Sequence, residues 1–515
     1  MKLVKPALIK EIDKYAVEVL GIPATELMQR SGEAVANAIR ARLPRNLKIA
    51  ILVGKGNNGG DGYAAALFLK ADFDVTVYDV FSSGQRSDEG KYFLSEWIKQ
   101  GGSVVKYDRT KEQNEDIRES DCIVDAIFGT GFSKSEAPDE IKMLSAVIEA
   151  SNAYKVSVDV PLGINGEDGS VLDYAPHFDI TVALSFLKRG LVSYPAKEYV
   201  GEIVYTDLGL PINKIEKQFG ITDIYTDSLW AEALLPKRPL NSNKGSFGKL
   251  LIIAGSKKYR GAAHLAVEAA LRSGVGLVCF LGENELINEL VMKFPEVIYE
   301  KSMEIAEYTE KDIEKAVKLS EKFSAILIGP GSDNTKGLQK LVLSLLESEG
   351  APIIIDADAI NAVAALGEEG LNAIKNSKRK VALTPHPLEF SRLSGIEVAK
   401  IQKNRIFYAE KLSKELGATV ILKGAATVIS GENRLIINSN GTSALAKGGS
   451  GDVLAGVFAS FLAEGSLGLA DAAALAVYFH SLAGDLLSES LSDFGVIPSD
   501  LPKEIAKTIK ETAFR

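Results

Sequence analysis

Lys48-Ile49-Ala50-Ile51-Leu52-Val53, running directly into Gly54-Lys55-Gly56-Asn57-Asn58-Gly59-Gly60-Asp61-Gly62, decides the fold class of the first half of the chain. A short, continuous apolar run is the pattern of a parallel strand buried on both faces. The spacing predicts a helix from Tyr63 and a further strand over 75–81. Strand, glycine-rich loop, helix and strand then form a βαβ unit with an anion-binding turn. The glycines follow neither GxGxxG nor Walker spacing, and a tight turn with Asp61 as helix N-cap is the alternative reading.

Upstream, two amphipathic helices over 9–19 and 25–43 break at Gly21-Ile22-Pro23. Downstream, strands over 122–128, 155–160 and 180–184 run into Gly129-Thr130-Gly131-Phe132-Ser133-Lys134, into Pro161-Leu162-Gly163, and toward Lys188. Ligands bind at the carboxyl ends of strands in an open parallel sheet, so Asn58, Asp125, Lys134 and Asp159 converge there. Each alone is more often a cap or a surface charge; the weight lies in their shared placement.

The same rhythm returns after a stretch over 209–243 that carries Pro211, Pro236 and Pro239, within which 213–225 is expected to be a linker. Strands over 249–254, 277–281, 325–328, 352–355, 381–383 and 420–422 follow, with a hairpin about Gly431 over 428–437. A small-residue helix over 262–273 lies among them. Strand ends carry Gly329-Pro330-Gly331, Asp356-Ala357-Asp358-Ala359, Thr384-Pro385-His386-Pro387 and Lys423-Gly424-Ala425-Ala426-Thr427, a crevice along one sheet edge. Two prolines fix the backbone of His386, which favours ligand contact over a structural role. Asp356 and Asp358 either face the ligand or cap the next helix. In Lys447-Gly448-Gly449-Ser450-Gly451-Asp452 three glycines precede an apolar helix, an anion site by its free amides and dipole. A carboxylate repels phosphate, so Asp452 reads as a proton acceptor beside an anion hole, or else as the cap of a plain turn.

At 515 residues two or three domains are expected, and 46% apolar with 25% charged residues suits a soluble globular chain. A net charge of −9 favours neither nucleic acid nor a membrane surface as partner. Cys122 and Cys279 lie far apart in strand-like runs, without disulfide or zinc spacing. With Lys10, Glu11, Asp13 and Lys14 among the apolar residues no signal peptide is expected, and Glu464, Asp471, His480 and Asp485 suit 452–487 to core helices better than to a span. A cytoplasmic protein without membrane partners is expected, and a homo-oligomer.

Asn57-Asn58-Gly59-Gly60-Asp61-Gly62, Gly129-Thr130-Gly131 and Asp159-Val160-Pro161 resemble the N-terminal domain of the YjeF family, the NAD(P)H-hydrate epimerases. The resemblance implies a Rossmann-like domain over 1–213, NADHX and NADPHX as substrates, and a potassium ion on Asn58 and Asp125. It assigns Asn57, Asn58, Gly59, Gly60, Asp61, Gly129, Thr130, Gly131, Phe132, Ser133, Lys134, Ser135 and Asp159 to the substrate. Lys134 and Asp159 are the candidates for proton transfer. Leu162 stands where the family usually has serine, which weakens the potassium expectation unless a backbone carbonyl serves.

The motifs at Gly329, Asp356, Thr384, Lys423 and Gly448 resemble the family's other domain, the ADP-dependent NAD(P)H-hydrate dehydratase of the ribokinase-like superfamily, over 225–515. By that resemblance Lys423, Gly424, Ala425, Ala426, Thr427 and Gly451 line the nucleotide site, while Ala262, Gly331, His386 and Asp452 line the hydrated-cofactor site. Leu388 replaces the usual glycine after Thr-Pro-His-Pro. The expected whole is an α/β isomerase–lyase fusion that repairs hydrated cofactor, with Asp452 as base and magnesium-borne ADP, or ATP, as phosphoryl donor. Epimerisation of R and S forms feeds a dehydratase that consumes the S form. The competing readings are a ribokinase-like vitamin or sugar kinase and a non-catalytic dinucleotide sensor.

Overall fold

The computed structural model describes residues 1–81, 86–130, 138–302 and 304–513. The chain divides into two compact units, Lys2–Asp223 and Ile224–Arg515, the latter together with Met1.

In the first unit the apolar runs assemble into a seven-stranded sheet in the order Val104–Lys106, Asp74–Asp79, Lys48–Val53, Cys122–Ala126, Tyr154–Val158, Ile180–Leu184, Glu202–Thr206. Every pairing is parallel. Alternate residues serve opposite cores: Ile49, Ile51 and Val53 join Val124 and Val156, while Ala50 and Leu52 join Tyr78 and Ile123. Burial on both faces is why these strands read as unbroken apolar runs. The chain order reverses across the sheet between Lys48–Val53 and Cys122–Ala126, which opens a crevice at their carboxyl ends. Leu3–Val4 pairs in parallel with Leu187–Lys188 as a separate short ribbon.

The second unit is built on ten strands in the order Ile224–Tyr225, Arg434–Ile437, Val428–Gly431, Thr419–Leu422, Val381–Leu383, Ile353–Ile355, Ala325–Ile328, Lys249–Ile253, Leu277–Gly282, Ile298–Lys301. Only the two pairings of Val428–Gly431 are antiparallel. Its hairpin turns on Glu432 and Asn433, both left-handed at φ 53° and 59°, with Gly431 paired to Arg434. That two-residue loop is the geometry whose twist matches the strands, so the turn lies just beyond the glycine that marked it in the sequence.

Residues 213–225, expected as a linker, instead hold the helix Ile212–Phe219 and the strand Ile224–Tyr225. Ile215 is fully buried in a cluster with Val4, Ile12 and Leu210, and Gly220 closes the helix at φ 61°. Pro211 stands immediately before the first helical residue, where a missing N–H breaks no bond, so this proline marks a helix start. Helices Ser450–Glu464 and Leu469–Gly495 bury the most apolar part of the chain in the second core. Among the described residues no helix is long and apolar enough to cross a membrane. Cys122 and Cys279 are buried, unpaired thiols.

Candidate functional site

The glycine run of the first unit is a loop only as far as Gly56. The helix Asn57–Leu69 starts ahead of the expected Tyr63, so Asp61 lies within it and is not its N-cap. Small size lets this helix start so close to the sheet. A Cβ on Gly59 would lie 2.1 Å from the Gly54 carbonyl oxygen, and one on Gly62 would lie 2.8 Å from both Ala126 and Val53 side chains. Gly60 abuts Met28 in the same way, at 2.5 Å. Gly59 and Gly60 thus meet protein at their Cα atoms, and Lys55, Gly56, Asn57, Asn58 and Asp61 are the members of the run that line a cavity of about 800 Å³. Gly129, Thr130 and Asp159 line the same cavity, with Asp13 and Lys188.

Asn58 Nδ2 donates to the carbonyls of Phe128 (2.7 Å) and Val158 (3.0 Å), while its buried Oδ1 has no hydrogen-bond partner among the described residues. Asp125 is fully buried; its two oxygens accept from the amides of Ile127 (3.1 Å) and Leu162 (2.8 Å). Burial lifts its carboxyl to about 7. Leu162, where a serine was expected, offers Asp125 its backbone N–H and buries its side chain completely. Asp159 sits in left-handed backbone at φ 67°, and its Oδ1 forms an ion pair with Lys188 Nζ and accepts the Leu184 N–H at 3.3 Å. Burial, then the Asp159 charge, raises the Asp61 carboxyl well above the usual range. Burial pushes Asp13 to about 6 against the opposing pull of Lys188. Gly131, Phe132, Ser133, Lys134 and Ser135 lie outside the described residues.

In the second unit the strand ends bring one charged cluster together. Lys423 Nζ lies 2.9 Å from Asp356 Oδ1 and 3.8 Å from Glu389 Oε2. Thr384 Oγ1 also donates to Asp356 Oδ1 at 2.5 Å, and Asp356 Oδ2 is buried without a hydrogen-bond partner among the described residues. Asp356 therefore belongs to the cluster, whereas Asp358 opens the helix Asp358–Ala365 and accepts the Asp333 N–H at 2.9 Å. Desolvation opposes the charge of the largely buried Lys423 ammonium, but Asp356 and Glu389 outweigh it and hold the group above its ordinary value. Gly451 stands beside it, since a Cβ there would lie 3.4 Å from Nζ.

Asp452 lies in the first turn of Ser450–Glu464, behind Gly449 at φ 103°. Burial, with Asp356 next, lifts its carboxyl to about 7 although Lys423 pulls it down. Gly449 packs against the helix Arg260–Arg272, where a Cβ would meet Leu265 at 2.7 Å. Ala262 on that helix adjoins Gly331, with 2.7 Å between their Cβ positions. His386 is the N-cap of Pro387–Ser394: Nδ1 accepts from the amides of Leu388 (3.1 Å) and Glu389 (3.3 Å). Acceptance at Nδ1 leaves the proton on Nε2, 3.2 Å from Glu389 Oε1. Its ring is still 46% exposed, so capping and ligand contact are compatible. Thr427 turns its hydroxyl onto the Gly424 carbonyl (2.9 Å), closing the Lys423–Thr427 turn; Ala426 within it is left-handed at φ 46°.

Three participants escaped the sequence reading. Glu389, lifted to about 7 mainly by burial, occupies the third position after His386, and a His-x-x-Glu capping pattern was the signal for it. Arg405, 2% exposed, donates to the carbonyls of Leu422 (3.0 Å) and Lys423 (3.2 Å) and so anchors the Lys423 turn from below. Lys188 lies beyond the strand Ile180–Leu184 in no motif, and only the fold brings it against Asp159.

Two doubly covered sheets, one parallel and one parallel but for a single antiparallel strand, each with buried titratable groups at its strand ends, define a two-unit α/β enzyme with separate sites. A family model described as NAD(P)H-hydrate dehydratase matches residues 250–510, and one described as YjeF-related protein N-terminus matches 24–190. The bifunctional NAD(P)H-hydrate repair enzyme Nnr of Thermofilum pendens is 33% identical, with 99% of this chain and 96% of that one covered. Its counterpart in Escherichia coli is 32% identical over 96% and 91%. An ADP/ATP-dependent NAD(P)H-hydrate dehydratase from Bacillus subtilis, co-crystallised with ATP and Mg²⁺, is 31% identical with a TM-score of 0.50 over 57% of this chain and 99% of its own. The chain belongs to the family of bifunctional NAD(P)H-hydrate repair enzymes.

Proposed function

We propose that the first unit epimerises hydrated NADH and NADPH and that the second dehydrates the S epimer with ADP, or ATP, as phosphoryl donor. The relatives' names support this division, as do the two separate clusters of buried ionisable groups.

In the second unit the ring hydroxyl of the hydrate is a poor leaving group until phosphorylated. Asp452 takes the hydroxyl proton, the hydroxyl oxygen bonds to the terminal phosphorus, and the bond from that phosphorus to the bridging oxygen breaks, releasing AMP from ADP. The ester then loses phosphate from carbon and a proton from the neighbouring carbon, which restores the dihydronicotinamide. The amides from Gly449 to Gly451 and the helix dipole receive the transferring phosphoryl group, and Lys423 offsets its charge. Gly424, Ala425, Ala426 and Thr427 carry the nucleotide on a turn held by Arg405, while Ala262, Gly331 and His386 border the hydrated ring. Asp356, whose Oδ2 lacks a partner, is the oxygen suited to face magnesium on the nucleotide, where the ion would neutralise phosphate charge. A base poised near neutrality suits proton removal at physiological pH. The partly buried Asp452, within the field of Lys423 at a helix N-terminus, is the observation that carries this reading.

In the first unit the hydroxyl leaves the ring as water when protonated, water returns to the opposite face, and the proton is passed back. Asp159 is the group proposed to exchange that proton, with Lys134 as the second candidate. Asn58 Oδ1 and the Asp125 carboxylate would hold potassium: the first is an unpartnered buried oxygen, and the second is a buried acid whose hydrogen bonds come from backbone amides. The ion would balance the Asp125 charge beside the substrate. Incubation of chemically prepared NADHX with ADP or ATP and Mg²⁺ tests the whole. Reduced cofactor should appear by its absorbance; no rise with either nucleotide sinks the proposal, and a phosphorylated product without reduced cofactor would support a kinase.

A further inference from the structure

The reading of the first unit as an epimerase leaves Lys188 without a part. It is 1% exposed yet lines the cavity with Asp159. Its ammonium has two acceptors, Asp159 Oδ1 and the Leu184 carbonyl at 2.8 Å. The Leu184 N–H reaches the same Asp159 oxygen, so backbone and ammonium converge on one side of the carboxylate. Both partners are fixed by structure: Lys188 pairs with Val4 in the ribbon of Leu3–Val4 and Leu187–Lys188, and Asp159 is bound by its own N–H to the Val182 carbonyl at 2.9 Å. Asp159 adopts φ 67°, a conformation costly for a residue with a side chain, which surrounding contacts must maintain. The other acids facing the pair are Asp13, from the helix Pro6–Glu18, and Asp61, from Asn57–Leu69.

Resting on that epimerase reading, we propose that Lys188 is a positioning residue of the epimerisation: it grips one oxygen of Asp159 and so aims the other at the substrate in the cavity. Gly129 is consistent with this aim, since a Cβ there would lie 3.8 Å from Asp159 Oδ2, on the cavity side where the substrate loop begins. The Asp13 and Asp61 carboxyls would compete for the ammonium if Asp159 did not hold it.

The test measures interconversion of R and S NADHX by chromatography in the full chain, with melting curves to check folding. Lys188→Met should lower kcat for epimerisation by at least about tenfold with KM little changed, and Lys188→Arg should restore part of the loss. Asp159→Asn and Asp159→Asn combined with Lys188→Met should be equally slow, because a positioning residue has nothing left to position. Wild-type kcat in Lys188→Met overturns the proposal, as does a rise in KM alone. Should Lys188→Met fail to fold, the conservative variant and the double variant decide: a lowered kcat with little-changed KM in Lys188→Arg, or equal slowness of Asp159→Asn and the double variant, supports it, and a further loss in the double variant contradicts it. No epimerisation by the unsubstituted chain would instead remove the reading of the unit itself.

Discussion

Asp452 was awkward as a phosphate ligand, and its surroundings explain why it is there. Its carboxyl, ordinarily near 3.8, stands at about 7 in the fold, chiefly through burial. The folded state thus binds more protons than the unfolded one between these values. Stability is therefore lost as pH rises through that window and is not regained above it. Asp452→Asn should accordingly raise the melting temperature at pH 8, by about 1–2 kcal/mol of stability, with the gain shrinking as pH falls toward 4. Lys423 keeps Asp356 and Glu389 as partners in that variant, so no buried cation is stranded. Dehydration itself should rise with pH to a plateau above about 7 in the native chain, and fall about a hundredfold or more in the variant. Asp452, Lys423 and His386 could be singled out because short motifs set them at strand ends. Glu389 carried only the local His-x-x-Glu capping signal, and Lys188 carried none, since its importance comes from burial against Asp159, 29 positions away.

Elements explain what the glycines are for. The first run looked like a loop because glycine is a poor helix former, but close approach of Asn57–Leu69 to the sheet outweighs that propensity. Gly59→Ala should cost about 3 kcal/mol by urea unfolding, whereas Gly56→Ala, with nothing within 4 Å of its added carbon, should change little. Equal effects would show that the helix has room to shift. The anion loop of the second unit is anchored from behind: His480 Nε2 lies 3.0 Å from the Ser450 carbonyl and 3.1 Å from its hydroxyl. Burial holds the His480 ring neutral, its value lowered from 6.5 to about 4. Below 6.5 the unfolded chain binds the extra proton, so stability should fall as pH drops from there toward 4. His480→Gln should flatten that part of the acid profile of melting temperature; an unchanged profile would assign the acid loss elsewhere. Strand runs and their order of helices were legible from apolar pattern alone, whereas the helix Ile212–Phe219 was hidden by the prolines around it.

Across the whole molecule, two chemistries are kept in two units with their own sheets, cores and buried charges. The architecture was legible because both halves repeat apolar strand, small-residue turn and helix; which chemistry each half performs was carried by the motifs and by the relatives. The fusion is reasonable for a stereospecific dehydratase facing a mixture of epimers. Asp159→Asn should therefore yield reduced cofactor from the S part of a mixture and stall on the remainder, read as a burst followed by a slow phase. The most direct measurement of the central claim gives chemically prepared R and S NADHX, with ADP, ATP and Mg²⁺, to the native chain and to Asp452→Asn. The native chain should convert the mixture completely to NADH, and the variant should equilibrate the epimers while forming NADH about a hundredfold or more slowly. Formation of NADH by the variant at the native rate, or none by the native chain with either nucleotide, would contradict it.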